Sequence, residues 1–412
     1  MTTPLPRGRW VLLLALLAAT ACAAHGHAQE SSVVPGIEVL LRDSLSLLRG
    51  KRVGLITNQS GRDRQGRSDI DLLYHAPGVK LVALFAPEHG IRGVAAAGAT
   101  IASDTDSATG LPIYSLYGAT RAPTPDMLRG IDVLIYDIQD AGVRFYTYIS
   151  TMGLSADAAG RAGVPFVVLD RPDPLGGEQV EGGVLDTAYR SFVGEYPVAL
   201  RYGLTPGELL RYLVGTGQVR ADVHVIPMDG WRRSMRYNQT GLPWVDPSPN
   251  LRSMNALTLY PGTVFFEGTN LSEGRGTDAP FELVGAGWLT DAGEIARELN
   301  LMNMEGVRFD STSQAVATGA KWGGQVIPML HVRVTDAALV RPVKVAAYML
   351  QVIRRRHPGE FAWKVPHIDR LAGSDALRLA VDAGSVAELL VRLEQQSRAF
   401  AELTRPYELY KP

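Results

Sequence analysis

The chain has 412 residues, of which 46% are apolar and 20% are charged, and its formal net charge at pH 7 is −1. A net charge this close to zero, with acidic and basic residues evenly mixed, excludes nucleic acid and an anionic membrane surface as expected partners. Because Cys22 is the only cysteine, the chain beyond it has no internal disulfide, cysteine nucleophile or cysteine metal ligand.

Residues 1–29 have the three-part pattern of a secretory signal. Two arginines precede an uncharged apolar run that is too short to span a membrane, and small residues follow the run. A cleavage site after Ala28 predicts an exported protein, periplasmic or extracellular. The alternative is a lipoprotein box at residues 19–22, which would place a lipid anchor on Cys22.

The first part of the mature chain, residues 30–232, alternates between short apolar runs and amphipathic segments. Since ~380 residues exceed the size of one ordinary core, we predict two domains, of which this is the first. Strands that alternate with helices at this spacing predict βαβ units and a mostly parallel sheet. The predicted strands are 52–57, 81–86, 132–138, 165–169 and 223–227, and the predicted helices lie within 31–50, 68–74, 123–128, 142–163 and 205–213.

Four of the predicted strands end in clusters of polar side chains, and the densest cluster is the string APEHGIRG at 86–93. Ligands of open α/β sheets bind beyond the carboxyl ends of the strands, so we predict a functional site at this edge. No glycine-rich nucleotide loop follows the first strand, and no histidines stand at metal-ligand spacing. We therefore predict neither a nucleotide nor a metal cofactor. The polar residues at the four strand ends are Asn58 and Gln59, then Glu88 and His89, then Asp137, Gln139 and Asp140, and finally Asp170, Arg171 and Asp173.

The composition of the sequence changes after residue 232. Residues 238–287 are rich in Gly, Pro and Asn, and we predict a long loop without regular structure that serves a function. Helices predicted at 291–299, 343–354, 373–381 and 385–403 and a strand at 326–334 follow it. Residues 233–412 therefore read as a smaller α+β domain that contributes this loop to the site.

Six strings carry a resemblance to a known family: GKRVGLITNQSG (50–61), LFAPEHGIRG (84–93), YDIQDAGVRFYTYISTMG (136–153), VVLDRPDPLGG (167–177), PSPN (247–250) and FEGTNLSEGRGTDAPFE (266–282). In register across residues 36–410, the chain resembles the exo-β-N-acetylmuramidases, which are secreted or envelope-associated bacterial glycoside hydrolases. The resemblance implies release of β-linked N-acetylmuramic acid from the non-reducing ends of peptidoglycan fragments during cell-wall turnover. It also implies a Rossmann-like first domain, a second α/β domain and an active site in the cleft between them.

Glycoside hydrolysis needs a carboxylic acid for the leaving oxygen and a second group at the anomeric carbon. Glu88 is the predicted acid, since it follows a buried strand within a matched string; its structural alternatives are a helix cap or an ion pair with Arg92. The second group is left open among Asp140, Glu273 and the acetamido group of the substrate itself. Asp140 could instead cap a helix, and Glu273 could pair with Arg275.

Muramic acid carries a lactyl carboxylate, which the planar fork of a guanidinium matches with two parallel hydrogen bonds. Arg92, Arg144 and Arg275 stand within the matched strings, and each could also form a structural ion pair. Tyr146 and Tyr148 offer stacking surface for a sugar, or are core aromatics. Side chains that could bond the acetamido group, the ring hydroxyls or Glu88 complete the predicted substrate-binding set: Asn58, His89, Asn250, Asn270 and Glu282.

Two other functions fit the same residues. A non-catalytic envelope receptor could bind peptidoglycan fragments in this site, and a related hydrolase could act on another amino sugar.

Overall fold

The structure is a computed structural model that describes residues 1–2, 32–96, 98–99 and 103–412. The apolar run of the predicted secretion signal, the Ala28 cleavage site and Cys22 lie outside the described residues. Residues 32–412 form one compact unit. In the part of the chain that the structure describes, no helix is both long and apolar enough to cross a membrane.

A seven-stranded sheet organises the first half of this unit. Its strand order is β3-β4-β2-β1-β5-β6-β9, and every pairing is parallel except that of β3 with β4. The predicted mostly parallel sheet is therefore confirmed. The strands in chain order are β1 (Arg52–Thr57), β2 (Lys80–Ala86), β3 (Asp104–Thr105), β4 (Pro112–Ser115), β5 (Val133–Asp137), β6 (Phe166–Leu169), β7 (Glu181–Val184), β8 (Ala199–Arg201), β9 (Val223–Ile226), β10 (Leu283–Gly285), β11 (Val307–Ala315) and β12 (Val326–Val334).

Helices cover both faces of the sheet. Because successive side chains of a strand point to opposite faces, Leu55 and Ile135 pack into one core, whereas Ile56 and Tyr136 pack into the other. The second of these cores continues without a break into the second half of the chain. The helices are α1 (Gly36–Val39), α2 (Asp69–Tyr74), α3 (Pro125–Leu128), α4 (Tyr148–Arg161), α5 (Pro206–Gly215), α6 (Met254–Thr263), α7 (Ala292–Leu301), α8 (Pro342–Arg356), α9 (Val365–Ala372), α10 (Ala376–Ala383) and α11 (Val386–Thr404).

The second half is a smaller sheet-and-helix region, as predicted. Its three strands form an antiparallel sheet in the order β10-β12-β11. The expectation that residues 238–287 lack regular structure is wrong, because α6 and a 3₁₀ turn at Val264–Gly268 lie within them. Residues 256–263 of α6 are all buried, so the helix has no polar face and shows no amphipathic period in the sequence. The division of the chain at residues 232–233 stays a prediction.

Candidate active site

A pocket of about 120 Å³ lies beyond the carboxyl ends of β2 and β4. Segments from both halves of the chain line it. The first half contributes the turn at 88–89 and residues 145–147, and the second half contributes residues within 248–281 and α9. Its chemistry-bearing lining comprises Glu88, His89, Tyr117, Tyr146, Asn250, Tyr260, Glu267, Arg275, Phe281 and His367.

Glu88 follows the end of β2 and is 9% exposed. Its Oε2 accepts a hydrogen bond of 2.6 Å from the Thr147 hydroxyl, and its Oε1 accepts one of 3.0 Å from the Gly98 amide. Burial and the nearby charge of Glu88 raise the pKa of the Tyr117 hydroxyl. The expected alternative, an ion pair with Arg92, is wrong, because Arg92 pairs with Asp106 at 3.0 Å. Glu88 thus has hydrogen-bond donors but, within the described residues, no cationic partner.

His89 has a left-handed backbone, with φ of +69°. This conformation costs a non-glycine residue about 1–2 kcal/mol, and such strain is concentrated at functional sites. The ring Nδ1 lies 2.7 Å from the Ala95 carbonyl, which holds the imidazole at the pocket wall. The turn after β2 therefore presents two adjacent ionisable side chains to the same pocket.

Glu267 is a second carboxylate in the pocket, and the sequence reasoning missed it. It lies in the 3₁₀ turn at Val264–Gly268, forms an ion pair with Arg275, and has the His367 Nε2 at 3.5 Å from its carboxylate. Burial alone would raise the pKa of Glu267, but the hydrogen bond from His367 and the charge of Arg275 outweigh burial and lower it. Glu267 is therefore ionised at neutral pH.

The two carboxylates predicted as partners of Glu88 do not line the pocket. Glu273 is held between Arg275 at 3.3 Å and the Lys321 ammonium at 2.9 Å. Asp140 accepts hydrogen bonds from the Gly142 amide and the Tyr202 hydroxyl, and its burial raises its pKa to about 6.

The strand before Asp140, β5, does not lie next to β2. The sheet order places β1 between β2 and β5, so those two strands are about 10 Å apart. Asp140 lies early in the segment between β5 and α4, and only the later residues of that segment, 145–147, line the pocket.

Residues 53–255 match the N-terminal domain, and residues 258–410 the C-terminal domain, of the family described as exo-β-N-acetylmuramidase NamZ. The chain is also 42% identical over 385 residues to the peptidoglycan β-N-acetylmuramidase NamZ of Bacillus subtilis strain 168, covering 93% of this chain and 92% of that protein. The chain belongs to the NamZ family.

Two solved structures of DUF1343 family proteins from Bacteroides fragilis NCTC 9343 are similar to this NamZ-family chain. One is 38% identical with a TM-score of 0.86, and the other is 30% identical with a TM-score of 0.73. Each comparison covers 92% of this chain and 99% of the solved one. The NamZ-family fold described above is therefore shared over almost the whole chain.

Of the three arginines predicted to recognise the lactyl carboxylate, Arg275 alone lines the NamZ-family pocket. The Arg92 side chain is 62% exposed and faces a different surface depression. Arg144 is fully buried, and its guanidinium donates to four backbone carbonyls, two of them on residues 371–372. The prediction that Arg144 binds substrate does not fit this environment, which is that of a structural arginine.

Of the remaining predicted residues, some line the pocket and others lie in the protein core. Tyr146 and Asn250 line the pocket. Tyr148 is a core aromatic, fully buried, with its hydroxyl donating to the Pro247 carbonyl at 3.0 Å.

Three predicted ligands of the sugar bond the protein instead. The Asn58 Oδ1 accepts from the amide and hydroxyl of Ser60. Asn270 bonds the backbone of residues 360–362 through both amide atoms. Glu282 accepts from the Ser253 hydroxyl, which also caps α6. None of the three lines the pocket in the described part of the chain.

Proposed function

We propose that this NamZ-family chain is an exo-acting glycoside hydrolase that releases β-linked N-acetylmuramic acid from the non-reducing ends of peptidoglycan fragments. The observation that carries the proposal is one small pocket with two carboxylates in different surroundings. Among the described residues Glu88 has only hydrogen-bond donors as partners, whereas Glu267 pairs with Arg275 and lies beside His367. Carboxylates whose environments differ in this way divide the roles of acid and charge stabiliser between them.

In the proposed reaction, Glu88 donates its proton to the glycosidic oxygen as the bond to the anomeric carbon breaks. Positive charge develops at the anomeric carbon and ring oxygen, because the transition state resembles an oxocarbenium ion. Glu267, which stays ionised, stabilises that charge from a fixed position. A water molecule adds its oxygen to the anomeric carbon and gives up a proton that restores Glu88, so free N-acetylmuramic acid and a saccharide with a new hydroxyl are released. Thr147 orients Glu88 through its 2.6 Å hydrogen bond.

Arg275 is proposed to bind the lactyl carboxylate that distinguishes muramic acid. Its Nη1 is used by Glu267 and Glu273, and its guanidinium lies 4.9 Å over the Phe281 ring. The buried Nε makes no hydrogen bond, and no partner of Nη2 occurs among the described residues. That edge of the guanidinium retains the two parallel donors that a carboxylate accepts.

The test is hydrolysis of a chromogenic β-N-acetylmuramide beside the matching β-N-acetylglucosaminide. We expect release from the muramide alone. Release from both would show a hydrolase of a wider range of amino sugars. Release from neither, with muramide binding retained, would favour the non-catalytic receptor.

We also propose that the protein is exported. The arginine-flanked apolar run within residues 1–29 supports this, as does a substrate that lies in the cell envelope. Mass spectrometry of the mature N-terminus is the test. A first residue of Gln29 indicates cleavage after Ala28, an acylated Cys22 indicates a lipid anchor, and an uncleaved Met1 contradicts export by this signal.

A further inference from the structure

A second concavity, of about 600 Å³, adjoins the catalytic pocket. Ser248 lines both cavities, and the turn after β2 runs from His89 in the pocket to Gly93 in the concavity. We name it the Trp244 groove and define it by Gly93, Val94, Trp244, Ser248 and Arg252. Its volume lies within the range of about 300–1,000 Å³ typical of ligand sites.

Trp244 is held in one orientation at this groove. Its indole Nε1 donates to the Asp246 carboxylate at 2.7 Å, and its ring packs edge-on against Tyr237 with centroids 5.1 Å apart. Tyr237 is itself buried, with its hydroxyl donating to the Pro243 carbonyl. A half-buried indole fixed in this way offers a rigid flat surface, so a ligand that stacks on it orders few side-chain rotors.

The floor of the groove joins distant parts of the chain. Gln59, after β1, donates to the Asp246 carbonyl at 2.9 Å. Gly93 packs directly on Gln59 with φ of +69°, and a Cβ at Gly93 would overlap that side chain. The groove is therefore built before any ligand arrives.

Two side chains at the groove are left open to a ligand. Val94 is apolar and 80% exposed. Arg252 is exposed and donates to the Pro249 carbonyl, and no carboxylate pairs with it in the described residues. An apolar surface beside unneutralised donors matches a neutral N-acetylated sugar, which has a C–H face and several hydroxyl and carbonyl oxygens.

We propose that the Trp244 groove is the subsite for the sugar on the leaving side of the scissile bond, an N-acetylated hexosamine. This rests on the proposed function, because an exo-acting pocket holds the terminal residue and the remaining saccharide must lie at its mouth. The sugar stacks on Trp244, and Arg252 donates to its oxygens. Trp and Arg in such positions commonly carry much of the binding energy of a contact.

The test measures binding in a Glu88→Gln background, so that it does not depend on turnover. Calorimetry compares N-acetylmuramic acid with the disaccharide N-acetylmuramyl-β-1,4-N-acetylglucosamine. We expect the disaccharide to bind roughly 10-fold tighter or more, and Trp244→Ala to remove that advantage without changing the affinity for the monosaccharide. Equal affinities for the two sugars before Trp244 is changed, or an unchanged advantage after it, would overturn the proposal.

Further variants separate the groove from folding and from the proposed function. Arg252→Ala changes an exposed side chain and should weaken disaccharide binding even if Trp244→Ala fails to fold. Trp288→Ala, which removes an indole outside both cavities, is the matched control and should leave the advantage intact. If Trp244→Ala weakens a muramyl dipeptide rather than the disaccharide, the groove holds a stem peptide and the proposal is wrong. With Glu88 intact, failure to hydrolyse the disaccharide despite tight binding would count against the proposed function and not against the groove.

Discussion

Glu88→Gln should abolish most activity while leaving the fold intact. The contacts and role of Glu88 determine how much turnover and how much stability the variant should lose. A glutamine Oε1 can still accept from the Gly98 amide, and its Nε2 can donate to the Thr147 hydroxyl oxygen, which rotates its own proton away. The free energy of unfolding should therefore fall by about 1 kcal/mol or less. The transferable proton is lost, and general acid catalysis is worth about 10²–10⁴-fold in turnover, or roughly 3–5 kcal/mol.

The assay compares two leaving groups on the same muramic acid. A sugar alkoxide needs protonation as it leaves, whereas a nitrophenolate needs far less, so the variant should lose much more kcat on the disaccharide than on the nitrophenyl muramide. Glu178→Gln, which changes a carboxylate outside the pocket, controls for a general effect of charge. An equal loss on both substrates, with an unchanged melting temperature, would refute the role of Glu88 as acid.

Three further substitutions separate binding, folding and protonation. Arg275→Lys keeps the charge but not the fork, so KM for the muramide should rise roughly 10-fold in steady-state assays; an unchanged KM would remove Arg275 from lactyl recognition. Arg144→Met removes the guanidinium from four carbonyls, of which that of Val198 still accepts from the Leu185 amide. A buried carbonyl that loses its donor costs about 1–3 kcal/mol, so thermal melts should show a large loss of stability with KM unchanged. The reverse pattern would restore Arg144 to the site. Burial raises the pKa of Asp173 to about 7. Between the unfolded pKa of about 3.8 and the folded value, the folded protein therefore holds a proton that the unfolded chain has lost. The free energy of unfolding should fall by about 4 kcal/mol as the pH rises through about 4–7. Asp173→Asn should remove this dependence of unfolding free energy on pH, measured by urea titration at several pH values. The same pH dependence in both proteins would contradict a raised pKa at Asp173.

The central sheet was predictable because its strands are buried on both faces. Runs such as residues 81–86 and 165–169 are apolar at every position, which is typical of parallel strands. β4 was not predicted because a strand of four residues is too short to show a clear alternation of apolar and polar side chains. α6 was missed for the opposite reason, since a helix buried all round has no polar face for a periodicity to reveal.

Positions within the site were predictable only where chain topology determines them. Glu88 lines the pocket because the end of a parallel strand has a known location. Arg144 and Arg275 belong to equally convincing strings, yet backbone carbonyls surround one and the pocket contains the other. Glu267 was missed because one of its two basic neighbours, His367, lies 100 residues later in a helix that the sequence did not predict.

A chain of alternating charges in the second half explains why the pocket can contain both Glu267 and Arg275. The half-buried Lys321 ammonium donates at 2.9 Å to the Phe266 carbonyl, which belongs to the residue before Glu267, and at 2.9 Å to the Glu273 carboxylate. Glu273 in turn accepts a hydrogen bond from the Arg275 Nη1, which also donates to Glu267. Two cations and two anions balance, so neither carboxylate is buried without compensation. Because this balance uses a single nitrogen of Arg275, the guanidinium is held rigidly while its Nε has no hydrogen-bond partner within the described residues, as the proposed binding of the lactyl carboxylate requires.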